Sequence, residues 1–263
     1  MSFFNSKVIL ITGATSGIGE ALAFELALKN AHIIIAGRNK RKLAELETEI
    51  KKRGSKCLTV ELDLSNRESI ENATQYIKAN ITKLDILINN GGISQRSFAE
   101  QTDETVLREI MEVNFFGTIK LTNNLLPLLQ KEGGNIAVTS SLAGKFGTAM
   151  RSAYSSSKHA LHGYYESLRY EQMKNNIKVS IICPGFIKTD ISLNALTANG
   201  EKHGKMDKNQ AAGMSAEKCA KKYLSAIKNG KKEVFIGGFE VLTVYIKRFL
   251  PFLFYRIIAN LKE

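Results

Sequence analysis

Lys7-Val8-Ile9-Leu10-Ile11-Thr12 runs without polar alternation straight into Gly13-Ala14-Thr15-Ser16-Gly17-Ile18-Gly19. A continuous apolar run of this length is the mark of a parallel strand covered on both faces. Beyond the glycines, Ala21, Leu22, Phe24, Leu26 and Ala27 recur at helical spacing. Strand, glycine turn and helix in immediate succession point to an α/β fold whose strands end on a ligand. Glycines let backbone N–H groups approach a phosphate at the start of the helix. The spacing is G-x-x-x-G-x-G, not the G-x-G-x-x-G of many dinucleotide binders. A tight turn without a ligand is the bland alternative, but the strand before and the helix after favour binding. Gly13, Thr15, Ser16, Gly17, Ile18 and Gly19 are therefore candidate cofactor contacts.

The alternation continues. His32-Ile33-Ile34-Ile35-Ala36 reads as a second strand ending at Gly37-Arg38-Asn39. Many NAD enzymes carry an acid there for the adenosine ribose; this chain offers Arg38 instead, and a guanidinium matches a 2′-phosphate. NADP(H) is expected over NAD(H), with Arg38 and Asn39 as contacts. The lysines beside them, Lys40 and Lys42, fit a solvated first helical turn equally well. Residues 56–61 read as a third strand leading into Leu62-Asp63-Leu64-Ser65, and Ser65 with Glu68 has the spacing of a capping box. Residues 84–88 form a fourth strand opening onto Asn89-Asn90-Gly91-Gly92. Two helical stretches in 107–129 meet near Asn114; Gly133-Gly134 breaks the pattern; 135–139 is a fifth strand with Ser140-Ser141 at its carboxyl end. Downstream, Tyr154 and Lys158 stand at i and i+4, which on a helix places an ammonium beside a phenol. A phenol titrates at about 10, and a neighbouring cation favours its ionised form.

Length and composition suit one soluble α/β domain: 263 residues, 44% hydrophobic, 24% charged, 20 Gly and 3 Pro. The three cysteines, Cys57, Cys183 and Cys219, are far apart and read as small buried or half-buried hydrophobes. The four histidines show no metal-ligand spacing, so no metal is expected. Six residues precede the first strand, too few for a signal peptide, and a cytoplasmic location is expected. The net charge of +12 keeps nucleic acid and anionic membrane in view. From residue 196 onward thirteen Lys or Arg stand against six Asp or Glu. No helix-turn-helix, zinc-finger or RNP-type motif accompanies that charge, so no nucleic-acid partner is expected.

Thr12-Gly-x-x-x-Gly-Ile-Gly19, Asn89-Asn90-Gly91-Gly92, Asn114, Ser141, Tyr154-x-x-x-Lys158 and Pro184-Gly185 together resemble the short-chain dehydrogenase/reductases. The match runs from about Lys7 to Thr189. Within that family the likeness is to the branch of lipid, retinoid and steroid carbonyl reductases that includes the 11β-hydroxysteroid dehydrogenases and orphan dehydrogenase/reductases. Asn89 to Ser97, Ser157 to Leu161 and Ile182 to Gly185 carry that likeness. Gly91 stands where alanine is usual, and the long apolar N-terminal anchor of many branch members is missing.

The resemblance implies a Rossmann-type fold, a doubly wound parallel seven-stranded sheet, and a nicotinamide cofactor. It also implies a catalytic tetrad of Asn114, Ser141, Tyr154 and Lys158. Tyr154 would protonate the carbonyl oxygen, Ser141 would bind that oxygen, and Ser140 would make a cofactor or backbone contact. Lys158 would hold the nicotinamide ribose and lower the tyrosine's pKa, and Asn114 would hold a water in a proton relay. Asp63 and Leu64 would flank the adenine, Asn90 and Gly91 its ribose. Pro184, Gly185, Ile187 and Thr189 would contact the nicotinamide end. A homodimer or homotetramer is expected on the same ground.

Residues 189–213 are polar and, by the resemblance, form a mobile lid over the substrate; a loop this long in a compact domain is usually functional or flexible. The extension 239–263 crowds aromatic and aliphatic residues, Ile257 and Ile258 among them, around Lys247, Arg248, Pro251 and Arg256. That interruption argues against a spanning helix. The segment is expected either to cover the substrate mouth or a partner subunit, or to lie in a membrane interface. The expected function is an NADPH-dependent reductase of a lipophilic ketone or aldehyde, reversible with the alcohol. A 3-oxoacyl-thioester reductase and a non-catalytic dinucleotide-binding scaffold are the alternatives.

Overall fold

Seven parallel strands build the sheet, most of them short, apolar and followed by a helix that covers one face. In the computed structural model, which describes residues 2–260, β1 (Val8–Thr12), α1 (Gly17–Ala27), β2 (His32–Gly37), α2 (Lys40–Lys52), β3 (Lys56–Glu61), α3 (Arg67–Asn80) and β4 (Ile86–Asn89) make the first half. The second half has α4 (Glu104–Met111), a π-helical turn Glu112–Phe116, α5 (Gly117–Gln130), β5 (Gly134–Thr139), α6 (Ser152–Glu171) and β6 (Ile177–Pro184). Then follow β7 (Ile187–Lys188), α7 (Lys208–Ala211), β8 (Met214–Ser215), α8 (Ala216–Lys228), β9 (Glu233–Ile236), α9 (Leu242–Phe249) and α10 (Pro251–Asn260). The sheet order is β3-β2-β1-β4-β5-β6-β9, all parallel, with β7 and β8 paired apart from it.

Strand alternation explains why the first runs are apolar throughout. Leu10 and Ile34 join the core under α3, α5 and α6, whereas Ile9, Ile11, Ile33 and Ile35 join the core under α1, α2 and α8. Both faces are covered, so neither set of side chains meets water. The strand order reverses between β1 and β4, and the carboxyl ends on either side of that point open a crevice.

Local chemistry moved some expected boundaries. Asn66, not Ser65, caps α3: its Oδ1 accepts from Ser69 N at 3.0 Å. Ser65 turns back to Asp63, whose Oδ1 accepts from its hydroxyl at 2.7 Å. The two helical stretches that meet near Asn114 are joined by the π-helical turn, where Thr118 Oγ1 donates to Val113 O at 3.2 Å. Cys57 is half-buried, and Cys183 and Cys219 are buried.

The 189–213 segment carries one short helix, α7, and is tied down at several points. Leu196 N donates to Ser94 O at 2.9 Å, Arg96 N to Leu196 O at 2.8 Å and Asp103 N to Ala198 O at 3.0 Å. The C-terminal helices pack through a few residues only. Val244 and Phe254 are buried, Phe254 stacking edge-on to Phe146, while Phe239, Phe249 and Phe252 are 90%, 70% and 65% exposed. Residues 261–263 of the extension, and the side chains of Ile257 and Ile258, lie outside the described residues. Among the described residues no helix is long and apolar enough to cross a membrane.

Candidate active site

The glycine turn sets the site. Gly13 and Gly17 have φ of 62° and 57°, a left-handed conformation that side chains disfavour. A Cβ on Gly13 would sit 2.8 Å from Gly91 Cα, and one on Gly17 would sit 2.9 Å from Thr189 Cγ2. The turn thus packs against the β4 end on one side and the β7 end on the other. Ser16 precedes α1 without capping it by its side chain, so the first N–H groups of the helix face the cleft uncapped. An uncapped N-terminus approached through glycines is a seat for phosphate. Thr12 Oγ1 fixes the neighbouring loop by accepting from Asn90 N at 3.0 Å and Gly91 N at 2.9 Å.

A cleft of about 470 Å³ runs from this turn across the strand ends. Gly13, Thr15, Ser16, Gly17, Ile18, Arg38, Asn39, Asp63, Leu64, Asn90, Gly91, Pro184, Gly185, Ile187 and Thr189 all line it, as do Ser141, Tyr154 and Lys158. Two residues expected here do not reach its wall. Gly19 is buried beneath the turn, where a Cβ would collide with the Gly13 carbonyl. Asn114, 1% exposed, lies behind Gly92. Arg38 is solvent-facing at the end of β2, and among the described residues it has no acid at ion-pair distance. Its neighbours Lys40 and Arg41 are taken by Glu61 at 2.8 Å and Glu45 at 3.1 Å. Lys42, a plausible solvent residue by sequence, lines the cleft instead.

Tyr154 and Lys158 share one face of α6. Lys158 Nζ stands 5.7 Å from the Tyr154 ring centroid and donates to Thr139 O at 2.8 Å. Ser141 sits at the start of a short 3-10 turn, where its Oγ accepts from Ala143 N at 3.1 Å and donates to Pro184 O at 3.4 Å, and it lowers the pKa of the neighbouring phenol. Ser140 also lines the cleft, but its Oγ donates to Lys158 O at 3.2 Å. Asn114 Oδ1 accepts from Ile93 N at 2.8 Å, and its Nδ2 donates to Ile93 O at 2.9 Å and Ser157 Oγ at 3.0 Å. A Cβ on Gly92 would lie 2.9 Å from Asn114 Oδ1 and 3.4 Å from Lys158 Nζ, so both groups converge there.

The electrostatics differ from the expectation that Lys158 lowers the tyrosine's pKa. Burial dominates and pushes the phenol above its usual value; Ser141, Arg151 and Arg96 oppose it, not Lys158. Burial likewise lowers Lys158 to about 8. Near neutral pH the phenol is protonated and can donate.

Several positioning residues escaped sequence reasoning. Buried Gln95 accepts from Ala153 N at 2.8 Å and Tyr154 N at 3.3 Å, fixing the start of α6. Glu240 accepts from Phe186 N at 3.0 Å and so braces the Pro184-Gly185 turn. Arg96 and Arg151 line the cleft and pair with Asp207. No local pattern marks them, because each acts across a long sequence separation. Behind Ser140, His162 Nε2 lies 3.7 Å from Cys183 Sγ and its Nδ1 lies 3.2 Å from Glu233 Oε1. Among the described residues this is the one grouping with metal-ligand side chains. The two ring nitrogens face opposite ways, burial keeps the thiol protonated, and Lys145 pairs with Glu233 at 3.0 Å. These features suit a packed polar cluster better than a metal.

The short chain dehydrogenase family model matches residues 7–199. The chain belongs to that family. Dehydrogenase/reductase SDR family member 7B of Mus musculus is 38% identical over 265 residues, covering 98% of this chain and 82% of the relative. The SDR family protein 7-like of Anopheles gambiae is 40% identical over 266 residues, covering 98% and 84%. A short chain dehydrogenase/reductase from Burkholderia phymatum, solved in complex with NAD, superposes with a TM-score of 0.83 at 22% identity, covering 96% of each chain. An alcohol dehydrogenase from Thermococcus sibiricus, complexed with 5-hydroxy-NADP, gives 0.78 at 24% identity, covering 89% of this chain and 97% of the other. The Rossmann-type fold, a nicotinamide dinucleotide as its ligand, and dehydrogenase/reductase chemistry go with that membership. The glycine turn, the uncapped α1 and the strand-end cleft fit such a ligand.

Proposed function

We propose that the protein is an NADPH-dependent reductase of a lipophilic ketone or aldehyde, reversible with the corresponding alcohol. The observation that carries this reading is Tyr154, a buried and protonated phenol that lines the cleft together with Ser141 and is flanked by Lys158. When bound, the nicotinamide supplies a hydride for the carbonyl carbon. The chain's own residues manage the oxygen. Tyr154 Oη donates its proton there, and the Ser141 hydroxyl polarises the same atom. Lys158, its ammonium held at the Thr139 carbonyl, orders the ribose. Asn114, converging with Lys158 on Gly92, holds the route by which the proton is replaced.

The preference for NADPH rests on Arg38, which lines the cleft and, among the described residues, has no carboxylate at ion-pair distance. Asp63 and Leu64 would flank the adenine, Asn90 and Gly91 its ribose, and Ile187 and Thr189 the nicotinamide carboxamide. The 189–213 segment, bridging to the loop after β4, acts as the substrate lid. Lipophilicity of the substrate is supported at the mouth. Phe186 lines the cleft, and Glu240 ties it to the start of an exposed apolar row running through Phe239, Leu242, Phe249 and Phe252. A panel of ketones and aldehydes followed by NADPH absorbance tests the reading, with NADH in parallel. Steady NADPH oxidation on apolar carbonyls is expected. No turnover on the panel, or equal use of NADH, would contradict it.

A further inference from the structure

Positive side chains gather at the substrate end of the cleft. Arg96, from the loop after β4, and Arg151, at the N-cap of α6, converge on the carboxylate of Asp207, the residue before α7. Arg151 Nη2 lies 3.0 Å from Asp207 Oδ2, and Arg96 Nη2 contacts the same oxygen. The side chains are only 16% (Arg96), 20% (Arg151) and 19% (Asp207) exposed. Lys202 lines the same cleft. Among the described residues two acids line the cleft itself, and both belong elsewhere. Asp63 is held by Ser65, and Asp190 lies within the field of Glu20 at the glycine-turn end. Arg96 and Arg151 therefore share the Asp207 carboxylate.

Two guanidinium groups held together away from water repel each other, and the arrangement is stable only with an anion between them. Here that anion comes from the 189–213 segment, 111 residues from Arg96 and 56 from Arg151. Both cations act on the Tyr154 phenol through space, so they sit close to where the carbonyl oxygen would bind. Guanidinium is the side chain best shaped to grip carboxylate or phosphate.

We propose that Arg96 and Arg151 form a subsite for an anionic group, a carboxylate or a phosphate ester, carried by the substrate a few bonds from its carbonyl. Asp207 keeps the two arginines in register and yields to, or shares them with, that group. This rests on the carbonyl-reductase reading of Tyr154 and narrows it. The substrate is an amphiphile, with its charged end at the arginines and its apolar part toward Phe186 and Phe239.

The test measures kcat/KM of the full-length enzyme with NADPH on two matched pairs: a medium-chain 4-oxoalkanoate against its methyl ester, and a long-chain 1-phospho-alkan-2-one against the free 1-hydroxy ketone. At least one anionic member is expected to exceed its neutral partner by about 10-fold or more, the scale of a charge-assisted hydrogen bond. Which pair shows it identifies carboxylate or phosphate. In Arg96→Gln and Arg151→Gln that ratio is expected to fall to within about threefold of unity, through KM, while Arg151→Lys retains part of it. Should a variant fail to fold, the wild-type enzyme decides: an alkyl phosphate or alkanoate should inhibit competitively about 10-fold better than the alkanol of equal length. Neutral ketones reduced as well as both anionic partners, a ratio that survives both arginine replacements, or equal inhibition would each overturn the subsite and leave the reductase reading standing. Turnover of none of the four carbonyls would strike that reading and the subsite with it.

Discussion

At the residue scale, spacing made the chemistry legible and burial made it specific. Tyr154 and Lys158 can be paired from their i, i+4 positions, but the consequence of that pairing cannot. The ammonium bonds the Thr139 carbonyl, and desolvation, which no sequence pattern displays, raises the phenol and lowers the amine. A protonated phenol suits donation to a carbonyl oxygen. Arg38 was legible because it directly follows β2; Arg96, Arg151 and Asp207 were not, because three separate loops bring them together. At this scale Arg38→Asp is expected to cut the preference for NADPH over NADH by about 10- to 100-fold, the worth of one charge-assisted phosphate contact. Ratios of kcat/KM for the two cofactors measure it, and an unchanged ratio would place the phosphate reader elsewhere, with Lys42 the nearest candidate on the cleft.

At the scale of elements, the early βα units could be read from apolar runs and punctuation, since each strand ends where glycine or asparagine begins. Two joints resisted. Asn66 took the cap of α3 because Ser65 was already committed to Asp63. The break near Asn114 became a π-helical turn, and π-turns concentrate at functional positions. The edge strand β9 is fastened by Glu233, its first residue, which pairs with Lys145 and faces His162 on α6. Contact with His162, and then with Lys145, lowers the Glu233 carboxyl from 4.5 to about 2. A depressed folded-state pKa contributes stability fully above the unfolded value and loses it as pH falls through the folded one. Wild type should therefore be more stable than Glu233→Gln above about pH 4.5, with the gap closing toward pH 2. Thermal melts across that range measure it; a constant gap would mean that packing, not charge, holds the edge.

At the scale of the whole molecule, the doubly wound sheet collects every loop of the site at one edge, so residues from 12 to 210 line one cleft. The C-terminal helices then extend the mouth with a surface whose fate the sequence left between cover and membrane contact. The structure gives both parts: Val244 and Phe254 pack on the body, while Phe239, Phe249 and Phe252 do not. With Lys247 and Arg248 beside them, those aromatics would suit the interface of an anionic bilayer. Full-length protein is expected to float with phosphatidylserine-containing liposomes, and Phe249→Ser combined with Phe252→Ser to reduce recovery several-fold without changing the melting temperature. Equal recovery would assign the surface to something other than lipid. Whatever the surface does, turnover hangs on one phenol. The most direct measurement is single-turnover NADPH oxidation by Tyr154→Phe on the best carbonyl of the panel, alongside NADPH binding. The expected result is a rate lowered by about 10²- to 10⁴-fold with cofactor affinity nearly unchanged. A variant that keeps its rate within a few-fold of wild type while binding NADPH normally would contradict Tyr154 as the proton donor.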